Sequence, residues 1–421
     1  MNTPDTAAAC GIDFGTSNST AGRVVNGQPA MLALEDGRVT LPSVVFFHAE
    51  DAHVSYGRAA LADYLAGHEG RLMRSLKSLL GTSMIDEHTE VAGRALPFRT
   101  LLAQFIGELK RRAEQSAGRQ FTSAVLGRPV FFVDDDAAAD RRAQDTLADI
   151  ARATGLTEIE FQYEPIAAAF DYESQITREE LVLVADIGGG TSDFCLVRLS
   201  PERAGRADRR DDILASGGVH VGGTDFDKYL SLASVMPSLG LGGSLRTGLS
   251  IPSAPYFNLA TWHTINQIYT RKSAALIAEI RREAVERDKI DRLQYLVEER
   301  AGHWLAMQVE AAKIALSDDT ATTMDLGRID PGESLTLQRD TLNAAIAHLV
   351  DSIDATIARL LEDAGVTADG VDTVFFTGGS SGVLLLRERI ASLFPAARSV
   401  EGDLFGSIGA GLALDAARRF G

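Results

Sequence analysis

Two short glycine-rich segments of the chain combine residue types that suit a phosphate group and a metal ion. Each begins with an aspartate after an apolar run, continues through glycine and then carries a hydroxyl residue; the segments are Asp13–Asn18 and Asp186–Asp193. Glycine lets a backbone approach a ligand closely, and successive backbone N–H groups form anion-binding nests. The aspartates suit Mg²⁺ held through water, because that ion keeps several waters and uses one or two carboxylates. Together the segments predict a phosphate and metal site, although either one alone also fits a hairpin turn.

The two segments differ from the common phosphate-binding loops. No Gly-Lys-Ser or Gly-Lys-Thr follows the glycines, which excludes a Walker A loop. Gly188, Gly189 and Gly190 lie between two predicted strands and do not open a helix, which excludes a dinucleotide-binding fingerprint.

Two further segments carry polar groups that could contact a nucleoside. On a helix, Glu310, Lys313 and Ser317 share one face, where they could bond ribose hydroxyls and an adenine edge. A solvated ion pair between Glu310 and Lys313 explains the same pattern. Gly378-Gly379-Ser380 presents a backbone without side chains that could pack on a flat base, or it is simply the turn between a strand and a helix.

The segments fall at the ends of predicted strands in a chain that alternates strands and helices. The run before Asp186 and the run after it predict a hairpin, and the strand–Asp–Gly pattern at Asp13 and Asp186 suggests two related halves. The pattern also predicts a strand over Val130–Val133, an N-cap aspartate before a helix from 137 to 154, and an exposed loop over Ser200–Asp212. Residues 265–316 read as helical throughout.

Composition narrows the class of protein. The 421 residues carry 41 Lys and Arg against 58 Asp and Glu, a formal charge of −17, which disfavours nucleic acid and anionic membrane surfaces as partners. No apolar run approaches the length of a transmembrane helix, and the N-terminal residues lack the pattern of a signal peptide. Two isolated cysteines make no disulfide framework. These features predict a soluble, cytoplasmic protein.

Six motifs in order resemble the DnaK-type heat-shock chaperones of the actin-like ATPase superfamily. They cover the chain from about residue 10 to about 415 and are Gly11–Ser19, Glu164–Ala169, Asp186–Asp193, Gly222–Asp227, Glu310–Ser317 and Phe376–Ser381. The phrase Phe161–Pro165 and the short length resemble the YegD-like branch. The resemblance implies an α/β, two-lobed actin-like ATPase fold with ribonuclease H-like halves and the nucleotide in the interlobe cleft.

The resemblance also implies roles for individual residues toward ATP or ADP and Mg²⁺. The metal ion would be surrounded, through its water shell, by Asp13, Asp186 and Asp193. The phosphates would meet Gly15, Thr16, Ser17 and Asn18 on one side and Gly188, Gly189, Gly190 and Thr191 on the other. The rest of the nucleotide site would comprise Gly222, Gly223, Glu310, Lys313, Ser317, Gly378, Gly379, Ser380 and Asp403.

Four residues would take part in hydrolysis. By resemblance, Thr191 would position the attacking water, Asp186 would hold the metal ion, and Lys77 would neutralise charge that develops on the γ-phosphate. Glu164, next to Pro165, would bind a metal-bound water and report the nucleotide state across the lobes. Without the resemblance, Lys77 fits a solvated surface lysine and Glu164 a carboxylate that complements a helix dipole.

The chain departs from the family at four places, one of which is Pro129–Val133, where the family has Pro-Ala-Tyr-Phe. Gly382 and Ile314 stand where relatives have arginines that stack on adenine, a loss of about 0.5–2 kcal/mol of cation–π interaction. The printed sequence stops at Gly421, without the family's interdomain linker and β-rich peptide-binding domain. The expected organisation is lobe I over 1–175 with 401–421 returning to it, and lobe II over 181–400 with a helical insertion at about 228–325.

The expected function is Mg-dependent ATP binding with slow hydrolysis, coupled to a partner protein or co-chaperone. Without a peptide-binding domain, we expect no autonomous binding of extended peptides. Three alternatives stay open from the sequence: a small-molecule kinase of the same fold, an actin-like filament protein, and a pseudo-ATPase that uses nucleotide as a switch.

Overall fold

The chain divides into two units in the computed structural model, which describes residues 9–50, 53–91, 93–204, 206, 209–404 and 406–421. Unit 1 holds the residues up to Val221 together with Ser352–Ser381 and Glu388–Gly421. Unit 2 holds Gly222–Asp351 and Gly382–Arg387.

The described residues form eighteen strands and twelve α-helices. The strands are β1 (Ala9–Asp13), β2 (Asn18–Val25), β3 (Gln28–Met31), β4 (Thr40–Pro42), β5 (Val44–His48), β6 (Val54–Tyr56), β7 (Gly70–Arg74), β8 (His88–Val91), β9 (Arg94–Pro97), β10 (Ser123–Arg128), β11 (Glu158–Tyr163), β12 (Glu180–Ile187), β13 (Ser192–Leu199), β14 (Ile213–Val219), β15 (Ala321–Asp325), β16 (Ser334–Gln338), β17 (Thr373–Thr377) and β18 (Arg398–Glu401). The helices are α1 (Gly57–Leu65), α2 (Phe98–Ala117), α3 (Ala137–Ala153), α4 (Glu164–Glu173), α5 (Gly223–Leu230), α6 (Ala254–Ala260), α7 (Arg271–Glu283), α8 (Arg287–Glu298), α9 (Gly302–Asp318), α10 (Arg339–Ala364), α11 (Leu384–Leu393) and α12 (Ser407–Phe420).

Unit 1 contains two sheets with the same internal order. The first runs β11-β10-β1-β2-β3, with β4 also on β2, and the second runs β14-β13-β12-β17-β18. In the first sheet β1 pairs antiparallel with β2 and parallel with β10, and in the second sheet β12 likewise pairs antiparallel with β13 and parallel with β17. The repeated order confirms the two related halves that the paired Asp–Gly segments suggest.

Two central helices join the sheets through an apolar core. Helix α12 packs on β1 and on α4, and α4 packs on β12 and β13. A Cβ atom at Gly11 would overlap the backbone at Ala413, and one at Gly411 would overlap the carbonyl of Ala167. Glycine is therefore required at both close approaches, because any side chain would push α12 away from β1 or from α4.

Several local expectations agree with the structure. The glycine turn joins β12 and β13, which pair in antiparallel register from Glu180 with Leu199 to Ile187 with Ser192. Asp136 caps α3 by accepting from the backbone N–H groups of Ala138 and Ala139 at 3.1 and 2.9 Å.

One local expectation is wrong, and another holds only in part. Val130–Val133 forms no strand: Pro129 has no N–H to continue the ladder beyond β10, and the N–H of Val130 donates to Asp193 Oδ1 at 2.6 Å instead. The Ser200–Asp212 segment, of which 205, 207 and 208 lie outside the described residues, is not simply exposed. Arg209 is buried and bonds both carboxylate oxygens of Glu173 at 2.7 Å. Arg209 can be buried because it pairs with a carboxylate that is distant in sequence, and a local sequence pattern does not reveal such a pair.

Unit 2 is mostly helical, with α5 to α9 and the β15–β16 hairpin. The predicted helical stretch at 265–316 is helical without strands, as a 3₁₀ turn followed by α7, α8 and α9. The lobe boundary expected from the resemblance stays a prediction. Among the described residues, no helix combines the length and the apolar character needed to cross a bilayer.

Candidate functional site

The first glycine loop follows β1 and is held in place by a serine from the neighbouring chain segment. The Ser43 hydroxyl donates to the Gly15 carbonyl at 2.7 Å, and the Ser43 N–H donates to the Ser17 carbonyl at 2.9 Å. A Cβ atom at Gly15 would overlap the carbonyl of Asn18, so the turn is open only to glycine. These bonds fix the backbone of a glycine loop, the kind of turn whose N–H groups can bind an anion.

The second glycine loop is the turn of the β12–β13 hairpin. Gly188 donates its N–H to the Thr191 carbonyl at 2.9 Å, which closes the turn. Asp186 and Asp193 lie directly opposite each other at the base of this turn. The hairpin register therefore places two carboxyl groups beside one glycine loop, as the sequence predicts.

The two loops lie against each other within unit 1. A Cβ atom built on Gly190 would lie 3.0 Å from Thr16 Oγ1, and one on Gly189 would overlap the Ser17 side chain. Thr16 to Asn18 and Gly188 to Thr191 are all partly exposed, so both loops are accessible. The structure thus brings together the two segments that the sequence analysis singled out.

A third turn, after β17, closes on the same carboxylate. Gly378 has φ +80, and a Cβ atom there would lie 2.5 Å from Asp186 Oδ1. Gly379 and Ser380 continue into a 3₁₀ turn, which the Ser381 hydroxyl stabilises by donating to the Gly378 carbonyl at 2.8 Å. Gly378 is required both by its backbone conformation and by its contact with Asp186.

The three aspartates predicted to surround a metal ion are all buried. Within the described part of the chain, Asp186 Oδ1 and Asp193 Oδ2 have no hydrogen-bond partner. Burial, reinforced by the nearby Glu164 charge, raises the pKa of Asp13 and of Asp193 to about 7 and raises that of Asp186 well above its ordinary value. Buried carboxylate oxygens without donors are costly unless a cation satisfies them. This donor set fits Mg²⁺, which prefers carboxylate and water oxygens.

A buried ion pair lies beside these aspartates. Lys77, in a 3₁₀ turn over Leu76–Leu79, contacts Glu164, the first residue of α4, and both side chains are about 8% exposed. Burial lowers the pKa of Lys77, but the charges of Glu164 and Asp13 outweigh burial and leave that pKa raised. The interpretation of Lys77 as a solvated surface residue is therefore wrong, since tertiary packing buries it against carboxylates.

A cavity of about 290 Å³ adjoins the loops and the lysine. Its lining includes Thr16, Lys77, Gly190 and Thr191. It offers room for small groups such as phosphate or water beside the residues that the resemblance implicates in hydrolysis.

Unit 2 brings together two of the other predicted segments. Gly222 and Gly223 lie at the start of α5, and Glu310, Lys313 and Ser317 lie on α9. Lys313 is buried, donates to the Gly223 carbonyl at 3.1 Å and lies 2.8 Å from Asp227. The interpretation of Lys313 as half of a solvated pair is wrong because α5 covers it. Contact of these residues with a nucleoside stays a prediction.

The remaining predicted residues lie in turns or on the surface. Asp403 precedes α12, where its carbonyl accepts from the Ser407 N–H at 3.2 Å. Ile314 is 60% exposed, and a Cβ atom at Gly382 would meet nothing within 4 Å.

Two polar residues at the site have no role in the sequence analysis. Thr377 ends β17 in register with Asp186, and its buried hydroxyl has no partner among the described residues. Ser43 anchors the first loop. The sequence around Thr377 could have revealed it, because a hydroxyl residue stands at a strand end before two glycines. No local sequence pattern reveals Ser43, because it contacts Gly15 across 28 positions of sequence.

Two duplicated sheets with an Asp–Gly turn after the first strand of each define the actin-like ATPase fold, as the resemblance predicted. The family model described as Hsp70 protein matches residues 9–234 and 273–417. The chain belongs to the Hsp70 family.

Curated relatives agree with this family. The chain is similar to "Chaperone protein HscA" of Citrobacter koseri and of Escherichia coli strain K12, with 30% identity over 430 aligned positions in each case. Each match covers 97% of this chain and 58% of the relative. The chain therefore spans under two thirds of the length of these relatives.

Proposed function

We propose that the chain binds ATP and ADP with Mg²⁺, hydrolyses ATP slowly, and works as a chaperone-like component through a partner protein. The observation that carries the proposal is the pair of orphaned carboxylate oxygens, on Asp186 and Asp193, at the base of a glycine loop that contacts a second glycine loop. Glycine loops supply N–H groups for phosphates, and the carboxylates supply a place for the cation that accompanies them.

Each part of the site has a task in this proposal. The loops Gly15–Asn18 and Gly188–Thr191 orient the phosphates, and the buried surroundings strengthen their electrostatic interactions with the protein. Mg²⁺, held through water by Asp13, Asp186 and Asp193, would neutralise phosphate charge. Phosphoryl transfer depends mainly on such positioning and charge stabilisation, which the fold supplies without a covalent intermediate.

Lys77 and Thr191 would act on the hydrolytic step. The Lys77 ammonium lines the cavity beside the loops, where it would stabilise charge that develops on the transferred phosphoryl group. Thr191 lines the same cavity and would hold the attacking water. Glu164, paired with Lys77, connects this chemistry to α4 and hence to both sheets, a route by which nucleotide could influence the conformation of unit 1.

Asp186→Asn tests the metal and phosphate assignment. The substitution keeps the volume of the side chain and removes its charge, so the fold should survive while Mg-dependent ATP turnover is lost. Asp36→Asn is the matched control, because Asp36 lies in a surface turn with φ +50, which asparagine tolerates. Stabilisation by Mg-ADP, measured as a rise in Tm, should also disappear in Asp186→Asn alone. Wild-type turnover by Asp186→Asn would refute the assigned site.

The proposed partner protein is tested through its dependence on the bound nucleotide. Capture of proteins by the chain held in an ATP-bound state, compared with the ADP-bound state, tests whether a partner follows the nucleotide. Fluorescence anisotropy of a labelled apolar peptide tests the prediction that this chain alone binds no extended peptide. Nucleotide-dependent micromolar binding of that peptide would contradict the prediction.

A further inference from the structure

A cluster of histidines and one aspartate lies in unit 1 around the small sheet β6-β5-β7. His48 ends β5, His53 lies just before β6, Asp63 is in α1, and His68 follows the end of α1. None of these residues belongs to the glycine loops or to the aspartates assigned to Mg²⁺. Three of the eight histidines of the chain are in this cluster.

Backbone hydrogen bonds bring the four residues together in two pairs. The His48 N–H donates to the His53 carbonyl at 3.2 Å, which fixes the β5–β6 hairpin end. The His68 N–H donates to the Asp63 carbonyl at 3.2 Å, which closes the turn after α1. The placement therefore follows from main-chain geometry as well as from side-chain packing.

Three of the four side chains, those of His48, His53 and Asp63, bring their ligand atoms close together. His48 Nε2 lies 3.1 Å from Asp63 Oδ2, and ligand atoms of His48, His53 and Asp63 all lie within 4.8 Å of one another. The His68 ring centre is 5.5 Å from that of His48. A hydrogen bond between His48 and Asp63 explains the first contact, but it does not explain why His53 brings a ligand atom to the same pair.

We propose that His48, His53 and Asp63 form a binding site for a transition-metal cation of the Zn²⁺ type. Two imidazoles and a carboxylate are a donor set that Zn²⁺ accepts. Ligand atoms about 2.0–2.1 Å from a tetrahedral ion lie about 3.3 Å from one another, so small side-chain rotations complete the geometry. Bound metal would tie the β5–β6 hairpin to the end of α1.

The site is chemically distinct from the carboxylate cluster beside the nucleotide loops. Mg²⁺ prefers oxygen ligands and retains water, whereas imidazole favours zinc, nickel and copper. When excess Mg²⁺ is present, it should therefore occupy the carboxylate cluster and leave the histidine side chains to bind an added transition metal such as Zn²⁺.

The test is titration of the metal-stripped, untagged full chain with ZnCl₂ by calorimetry, in excess Mg²⁺ and without nucleotide. Wild type should bind one equivalent and gain Tm. His53→Gln should weaken binding at least about tenfold, because losing even an outer partner of a metal site costs that much. His53 is exposed, so the variant should fold, which circular dichroism checks. His88→Gln, which changes an exposed histidine on β8, is the matched control and should bind like wild type.

A second measurement uses Co²⁺ as a spectroscopic probe of the same ligands. Wild type and His88→Gln should give the visible absorption of a low-coordinate Co²⁺ site, and His53→Gln should lose it. Absence of stoichiometric Zn²⁺ binding by wild type would overturn the proposal. Equal affinity of His53→Gln and wild type would overturn it as well, since the metal would then lie elsewhere on the surface.

Discussion

Removal of the Lys77 ammonium should destabilise the metal-free protein far more than removal of a surface cation. Lys77 is the buried partner of Glu164, and the Asp13 and Asp193 charges also raise its pKa. Lys77→Met keeps an apolar stem of similar length but leaves the Glu164 carboxylate buried without a cation. Breaking a buried pair in this way costs about 3–5 kcal/mol. For a chain of 421 residues, an unfolding entropy of about 2.1 cal/mol/K per residue makes each kcal/mol worth about 1 °C, so Tm should fall by about 3–6 °C.

Glu164→Gln and the double variant, which combines Lys77→Met with Glu164→Gln, complete a double-mutant cycle. Because the double variant removes both charges, it should recover at least half of the stability that Lys77→Met loses. Arg152→Met is the matched control: Arg152 pairs with Asp149 at 2.8 Å, but both side chains are more than half exposed, so the cost should stay below about 1 kcal/mol. Calorimetric melting in EDTA measures all four variants against wild type.

Hydrolysis separates the structural role of Lys77 from its proposed chemical role. Both Lys77→Met and the double variant should bind ATP nearly as wild type does, yet hydrolyse it much more slowly in single-turnover assays, because only the transition state loses a contact. If Lys77→Met melts like the Arg152→Met control, or if the double variant recovers nothing, the buried-pair reasoning is refuted. Raised KM with unchanged kcat would place Lys77 outside the chemistry.

Three further variants test other parts of the nucleotide site. Gly378→Ala should lose nucleotide-dependent stabilisation and should lower Tm more than Gly155→Ala does, because both glycines have positive φ but only Gly378 lies against a carboxylate. Melting with Mg-ADP measures both effects, and equal losses of Tm would contradict this. Gly382→Arg should tighten ATP binding about 2- to 30-fold, because it adds a cation that can stack on adenine and has open space around it. Gly382→Gln should leave the affinity unchanged, and calorimetric titration with ATP measures the affinity of both variants. Burial raises the pKa of Asp13 to about 7. The contribution of the Asp13 carboxyl group to the stability of the metal-free protein is therefore complete below the ordinary pKa of aspartate, and it is lost as pH rises through about 7. Relative to Asp13→Asn, wild type in EDTA should therefore lose Tm as pH rises, and parallel pH profiles would exclude this.

The parts of the fold that local sequence reveals are those set by strand ends and turns. The β12–β13 hairpin and the α3 N-cap follow from residue types within a few positions, and the structure has them where expected. The paired Asp–Gly segments predict a phosphate and metal site, and the family resemblance adds the expectation that the two loops lie on opposite sides of the phosphates.

The parts that local sequence misses depend on burial by distant segments. The sequence around Lys77 and Lys313 is typical of solvated lysines. In the structure both lysines are buried, Lys77 in an ion pair with Glu164 and Lys313 in an ion pair with Asp227. Similarly, Val130 reads as strand, but its N–H is taken by Asp193 from another sheet. Charge pairs between distant positions carry no periodic signal, so only the tertiary structure shows them.

The packing of α12 on β1 has a consequence for how the chain reaches its folded state. Gly11 and Ala413 touch across about 400 residues, so the first strand meets its covering helix only after about 400 further residues have been made. At about 5–20 residues per second, translation delays this meeting by about 20–80 s. During that interval one face of the first sheet lacks its cover, and a chain truncated before Ser407 should keep the sheet open to proteases, which limited digestion measures. The glycines that permit the closest packing in unit 1 therefore also make the first sheet dependent on a helix that is synthesised about 400 residues later.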